Sequence, residues 1–224
     1  IHNYVVSFTG SASTGKLLKS HPNILEHSVP FNMEADSLNA CVLGTDVNKD
    51  SEEFEIFIKE VYREITVKTG QKCTAIRRVI VPEEFIKDVI DSLAKRLDKT
   101  IIGDPIVEGV RMGPLAGLSQ KREVIDKIIE LEKSQDIVYG NLYDFNVIGA
   151  DINKGSFLAP ILFLNEHPIT NTDCHEIESF GPVVTIMPYK DIDQAIKIAR
   201  MGKGSLVCSI VTNDMKIAEN FVLG

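Results

Sequence analysis

From residue 52 to 69 the apolar side chains Phe54, Phe57, Ile58, Val61 and Ile65 recur at three- and four-residue intervals. That spacing puts them on one face of a helix, with Ser51 suited to cap its first turn and Gly70 suited to end it. The shorter apolar run 75–81 reads as a strand stopped by Pro82, and helical periodicity returns over 83–98 through Phe85, Val89, Leu93 and Leu97. Further helices are predicted over 119–133, 192–201 and 215–222. Strands are predicted at 4–6, near Ile137, and over 157–164, 183–187 and 206–212. Strand and helix taking turns in this way predict an α/β fold, a largely parallel sheet flanked by helices. The stretch 104–118 carries Pro105, Pro114 and three glycines and reads as a surface connection.

At 224 residues and 44% hydrophobic content the chain can bury a sizeable core. Lys plus Arg number 24 against 32 Asp plus Glu, and no basic cluster interrupts the resulting charge of −8, so nucleic acid is not an expected partner. No apolar run approaches the ~20 residues that cross a bilayer, and Ile1 opens onto strand-like sequence instead of a charged-then-apolar leader. A cytoplasmic protein with no membrane partner is the expectation. Cys41, Cys73, Cys174 and Cys208 lack the paired short spacing of zinc ligands, so they read as independent thiols and no metal site is predicted.

Several groups could carry chemistry. The segment "FTGSASTGKL" from Phe8 approximates a mononucleotide phosphate loop through Gly10, Gly15 and Lys16, but Leu17 stands where Ser or Thr would hold magnesium. In "TGQKCTA", Cys73 follows a glycine turn after a long helix and precedes a strand, which places its thiol in a loop at a sheet edge. A free thiol titrates near 8.5 and needs a positive neighbour or backbone N–H groups to act as a nucleophile at neutral pH; Lys72 could serve. The alternative is a buried structural cysteine. Glu34, flanked by Met33 and Ala35 with Phe31 and Leu38 farther out, has the apolar company that raises a carboxyl pKa and suits a general base; a solvated loop glutamate is the alternative. Glu178 precedes Phe180-Gly181-Pro182, a tight turn into a strand. Of the five histidines, His2 is terminal and His21 and His167 precede proline; a Cys73–His175 hydrolase pairing remains open.

The order of these elements resembles the aldehyde dehydrogenase superfamily across essentially the whole chain. In that family a strand followed by Phe-Thr-Gly-Ser and a second glycine lays a dinucleotide pyrophosphate at a helix N-terminus, matching Phe8, Thr9, Gly10, Ser11 and Gly15. The resemblance makes Glu34 the general base, Cys73 of Gly70-Gln71-x-Cys73 the nucleophile, and Glu178 of Glu-x-Phe180-Gly181-Pro182-Val183 the holder of the nicotinamide ribose. "GDPIVEGVRMGPL" from Gly103 and "GSFLAPIL" from Gly155 resemble connecting segments of the family. Within it, "NMEADSLNA" with "GQKCTAIRRVIVP" is most similar to the ring-opened semialdehyde dehydrogenase of bacterial phenylacetate degradation, the bifunctional type fused to an enoyl-CoA hydratase-like module. One departure stands out: Ala35, Asp36 and Ser37 follow the base glutamate in place of the common Leu-Gly-Gly-Lys.

The resemblance implies an NAD- or NADP-dependent oxidation of an aldehyde through a thiohemiacetal and a thioester on Cys73, with water activated by Glu34 across a shared pocket. It implies that residues 1–30 are the tail of a Rossmann-like cofactor domain and 31–224 a C-terminally incomplete catalytic domain. This portion would be inactive alone, lacking an upstream oxyanion-binding asparagine and the adenosine site, and the full-length enzyme would be a homo-oligomer. The alternative, from another class, is a non-catalytic relative serving assembly or binding.

Overall fold

A computed structural model describes residues 4–224; Ile1 and His2, read above from sequence, lie outside them. Its contacts divide the chain into two compact units, Ile1–Ser37 and Leu38–Gly224.

In the first unit β1 (Val6–Gly10) leads into α1 (Ala12–Lys19), then α2 (Pro22–Glu26) and β2 (Phe31–Ala35). β1 and β2 pair in parallel, with Phe8 opposite Met33 and Thr9 opposite Glu34. The strand predicted at 4–6 therefore begins at Val6 and takes in the Phe-Thr-Gly segment, because β2 supplies the ladder partners for those residues. Ser11 caps α1, its Oγ accepting the N–H of Thr14. Gly15 lets α1 lie close on β2, since a Cβ there would come within 2.4 Å of the Met33 sulfur.

The second unit holds β3 (Asn39–Leu43), α3 (Glu52–Thr66), β4 (Ile76–Pro82), α4 (Ile86–Leu97), α5 (Leu118–Leu131), β5 (Asp136–Tyr139), β6 (Ile161–Leu164), β7 (Val183–Tyr189), α6 (Ile192–Arg200), β8 (Cys208–Val211) and α7 (Met215–Leu223). Six strands form one sheet in the order β5-β6-β7-β4-β3-β8, parallel throughout except for the β5–β6 pair. The predicted α/β class with a largely parallel, helix-flanked sheet is thus the observed one. Alternate strand residues face opposite sides. Val79, Val81, Val184 and Ile186 meet α3 and α4 through Phe57, Ile58, Val61, Val89 and Leu93. Ile80 and Met187 pack on Ala195 and Ile198 of α6, and Ile161 and Phe163 on Val124 and Ile128 of α5.

α3 starts where its sequence indicates, with Ser51 Oγ accepting from Phe54 N–H and glutamates 52, 53 and 55 in the first turn. It ends earlier than predicted, since Lys68 and Thr69 have φ of 51° and 52°. The strand predicted over 157–164 is confined to Ile161–Leu164, beyond Pro160, which has no N–H for a ladder. The connection predicted over 104–118 lacks helix and strand up to Gly117, α5 beginning at Leu118, yet Met112 and Leu115 reach the core.

Arg78 of β4 is buried without a carboxylate partner among the described contacts, and four acceptors hold it instead. They are the carbonyls of Leu38 (2.7 Å), Ile198 (2.8 Å) and Ala199 (2.9 Å), and Nδ1 of His175 (3.1 Å). The two helical carbonyls belong to the last turn of α6, the negative end of that helix. A guanidinium only donates, so His175 Nδ1 accepts and its protonated Nε2 donates to Pro168 O at 2.8 Å. Burial pushes the His175 pKa below its usual value, and Arg78 and Lys203 push the same way against Pro168 O and Glu176. An imidazole that stays neutral in the folded state binds fewer protons than its unfolded counterpart once the pH falls below about 6.5. Stability is accordingly expected to drop from pH 6.5 downward until the depressed folded-state pKa is passed. His175→Asn, which keeps an acceptor for Arg78, should flatten that part of the curve in urea unfolding series between pH 7 and 5; parallel curves for the two proteins would contradict it.

Candidate active site

After α3 the chain reverses through three consecutive residues in the left-handed region, Lys68, Thr69 and Gly70 (φ 72°), and Thr69 Oγ1 donates to Gly113 O at 2.8 Å. A Cβ on residue 70 would lie 2.1 Å from the carbonyl oxygen of Gly181. The chain ahead of Cys73 therefore packs directly against the turn that leads into β7.

Cys73 sits on the following turn, exposed, three residues before the buried start of β4 at Ile76. The Asn39 side-chain amide donates to both Cys73 O and Ala75 O at 2.9 Å, and its oxygen accepts the Val207 N–H. The carbonyl of Cys73 is thus fixed, while among the described residues its N–H meets no acceptor. Lys72, the positive neighbour offered by sequence, is held by both oxygens of Glu64 at 2.7 and 2.8 Å, so that charge is matched by a carboxylate.

Glu178 and Phe180 lie in the loop before β7, and the structure brings them to the Cys73 turn. Gln71 Nε2 donates to Phe180 O at 3.2 Å, and Gln71 Oε1 accepts the Ala116 N–H at 2.8 Å. Arg77 Nε lies 3.4 Å from Glu178 Oε1, and its guanidinium stacks 5.4 Å from the Phe180 ring centroid. Sequence reasoning passed over Arg77 and Asn39. The available signal was Arg77-Arg78, two cations side by side in an otherwise apolar strand, one for each face of the sheet.

Phe8, Thr9, Gly10, Ser11, Gly15 and Glu34 all belong to the first unit, where β pairing sets Glu34 beside Thr9. Glu34 is exposed, and Met33 and Ala35 turn to the opposite face of β2. Its expected apolar company is therefore on the wrong side, a consequence of the two-residue period of a strand. At the start of α1 the Asp36 carboxylate accepts the Ala12 N–H at 2.9 Å. Of the N–H groups of residues 12–15, those of Ala12 and Thr14 meet side-chain oxygens and that of Gly15 meets Ser11 O, which leaves the Ser13 N–H without an acceptor among the described residues, beside the hydroxyls of a serine-rich turn.

The other thiols are poorly placed for nucleophilic work. Burial raises Cys41 to about 12 and Cys174 to about 11, and desolvation also raises Cys208 against the pull of Arg78. The Cys73–His175 pairing fails, because both ring nitrogens of His175 are engaged elsewhere. Among the described residues no group of three or more His, Cys, Asp or Glu side chains is arranged to hold a metal, and no helix is long and apolar enough to cross a membrane.

Comparison with known proteins places the chain among aldehyde dehydrogenases. A 3,4-dehydroadipyl-CoA semialdehyde dehydrogenase of Aromatoleum evansii is 40% identical over 220 residues, covering 98% of this chain and 43% of that protein. Rat aldehyde dehydrogenase 1A1 is 28% identical over 212 residues, 94% of this chain and 39% of the relative. Among solved structures, an aldehyde dehydrogenase of Bacillus cereus superposes with a TM-score of 0.82 at 25% identity over 99% of this chain and 43% of its own. Betaine aldehyde dehydrogenase of Staphylococcus aureus, in complex with NAD+, shares the fold with a TM-score of 0.84 at 22% identity, over 98% of this chain and 41% of its own. The chain spans less than half the length of these relatives. The profile of the aldehyde dehydrogenase family matches residues 2–223, and the chain belongs to that family.

Proposed function

We propose that this chain is the catalytic portion of an NAD(P)-dependent aldehyde dehydrogenase with Cys73 as nucleophile and Glu34 as general base. The observation that carries the reading is the Cys73 turn: an exposed thiol whose carbonyl is clamped by Asn39, whose N–H is unengaged, and whose loop is tied to the one bearing Glu178. The thiolate adds to the aldehyde carbon, forming a C–S bond as the carbonyl electron pair moves to oxygen. The Cys73 N–H donates to that oxyanion. The dinucleotide, when bound, supplies the acceptor for the hydride that leaves the former aldehyde carbon. Glu34 then takes a proton from water, whose oxygen attacks the Cys73 thioester, and the acid departs as the thiol is restored.

The residues present fit a dinucleotide in kind. Gly10 and Gly15 keep the β1–α1 connection tight, as a diphosphate at a helix N-terminus requires. Ser11 and the Ser13 N–H would face the diphosphate, with Phe8 and Thr9 on the strand leading to it, while Glu178 and Phe180 would hold the nicotinamide ribose. The Asp36 carboxylate is the one element that opposes an anion at that helix end. The substrate we favour is a CoA-linked semialdehyde, from the 40% identity to the Aromatoleum enzyme. Residues 1–30 then belong to the tail of the cofactor domain of a longer cytoplasmic enzyme, and 31–224 to its catalytic domain.

Competitive alkylation with iodoacetamide near pH 7 is expected to label Cys73 faster than Cys208, the other exposed thiol, whose pKa desolvation raises. Equal rates would remove the activated nucleophile. In the full-length protein, aldehyde-dependent reduction of NAD or NADP is the companion measurement.

A further inference from the structure

Arg77 is buried on β4 with its side chain 4% exposed, and its position is unusual for a cation with so little solvent. Nη2 donates to Gly70 O at 2.8 Å and approaches Lys72 O at 3.4 Å; Nη1 donates to Gly181 O at 2.7 Å; Nε faces the Glu178 carboxylate at 3.4 Å. One rigid planar fork thus grips carbonyls immediately before Cys73 and, on its other edge, both the carboxylate and the backbone of the loop before β7. The Phe180 ring covers the guanidinium face. Lysine could not reproduce this, because an ammonium has no fixed fork to span two loops.

We propose that Arg77 is a positioning residue that locks the Cys73 turn to the Glu178 loop, so that the nucleophile and the group facing the cofactor ribose are held in one register. The proposal rests on the reading of Cys73 and Glu178 given above. It adds a residue that touches neither substrate nor cofactor but sets the distance between the groups that do. Arg78 is the natural control, since it is equally buried on the same strand, faces the opposite side of the sheet, and binds Leu38, Ile198, Ala199 and His175 instead.

The test compares Arg77→Lys with Arg78→Lys, and uses Arg77→Gln, which removes the buried charge, where Arg77→Lys does not fold. Hydrogen–deuterium exchange of the 224-residue chain reads the coupling without reference to chemistry. Residues 70–75 and 178–182 should lose protection together in the Arg77 variants and keep it in Arg78→Lys. In the full-length enzyme, Cys73 alkylation should slow and the apparent KM for dinucleotide should rise, with kcat/KM falling about 10- to 100-fold, the scale of a displacement of roughly 1 Å at a reacting group. Arg78→Lys should lower thermal stability while leaving alkylation rate and dinucleotide KM unchanged. Protection lost in only one of the two loops, or the same kinetic changes in Arg78→Lys, overturns the proposal. Non-selective alkylation of the unmodified protein instead overturns the nucleophile reading, and the exchange experiment still decides whether Arg77 couples the loops.

Discussion

Cys73→Ala in the full-length enzyme should reduce aldehyde oxidation by a factor on the order of 10⁵ to 10⁶ while leaving the fold intact, as removal of a covalent nucleophile does elsewhere. The loss is large because no second route to the thioester exists within the described residues. Cys41 and Cys174 are buried with raised pKa values, and Cys208 lies on β8 rather than on the 70–75 turn. The fold should be indifferent because the Cys73 side chain is exposed and the links that hold its turn use backbone carbonyls and neighbouring side chains. Unfolding free energies from urea series should agree within ~0.5 kcal/mol, the range of an exposed substitution. Retained turnover in Cys73→Ala would remove the cysteine from the mechanism; a large stability loss would assign it a structural role instead.

The largest stability effect is expected at Gly70. Alanine there must adopt a φ of 72°, and its Cβ would meet the Gly181 carbonyl at 2.1 Å. The conformational strain is about 1 to 3 kcal/mol and the forced displacement of packed backbone adds about as much again. A total of roughly 2 to 6 kcal/mol is comparable with the whole stability of many domains. Gly117→Ala provides the contrast, since a Cβ at 117 meets nothing within 4 Å and its backbone is extended. That variant should unfold within ~0.5 kcal/mol of the parent. Equal midpoints for the two alanine variants would mean that the Gly70–Gly181 approach imposes no constraint on the turn. Any surviving Gly70→Ala protein should also show slower Cys73 alkylation, because the turn can relieve the overlap only by moving.

The helices were legible where the apolar stripe was strong, with a side-chain cap at α3 and α6 and none at α4. α3, α4 and α6 lie within three residues of their predicted limits; the apolar positions read for α3 are all buried, joined by Glu64 and Thr66, and those read for α4 are buried except Phe85, which precedes the helix. β3 was not legible, since Asn39–Leu43 is buried on both faces and shows no two-residue alternation. α1, α2 and β2 are short, and their existence depends on pairing and packing that no local window contains. The candidate site was readable as an order of motifs, through Gly70, Gln71, Cys73, Glu178 and Phe180. Its supports were not, because Asn39 precedes Cys73 by 34 positions, and Arg77 reaches Gly181 across 104.

The sequence by itself determined the layered α/β class and the family, and it singled out the thiol and carboxylates proposed to do the chemistry, because periodicity and short motifs are local properties of a chain. Tertiary structure alone decided that Lys72 answers to Glu64, that Glu34 turns away from its apolar neighbours, and that a buried guanidinium joins the Cys73 turn to the Glu178 loop. The first depends on how the chain turns back after α3, the second on β2 forming as a strand beside β1, and the third on which distant strands lie side by side, a register fixed by contacts far apart in sequence.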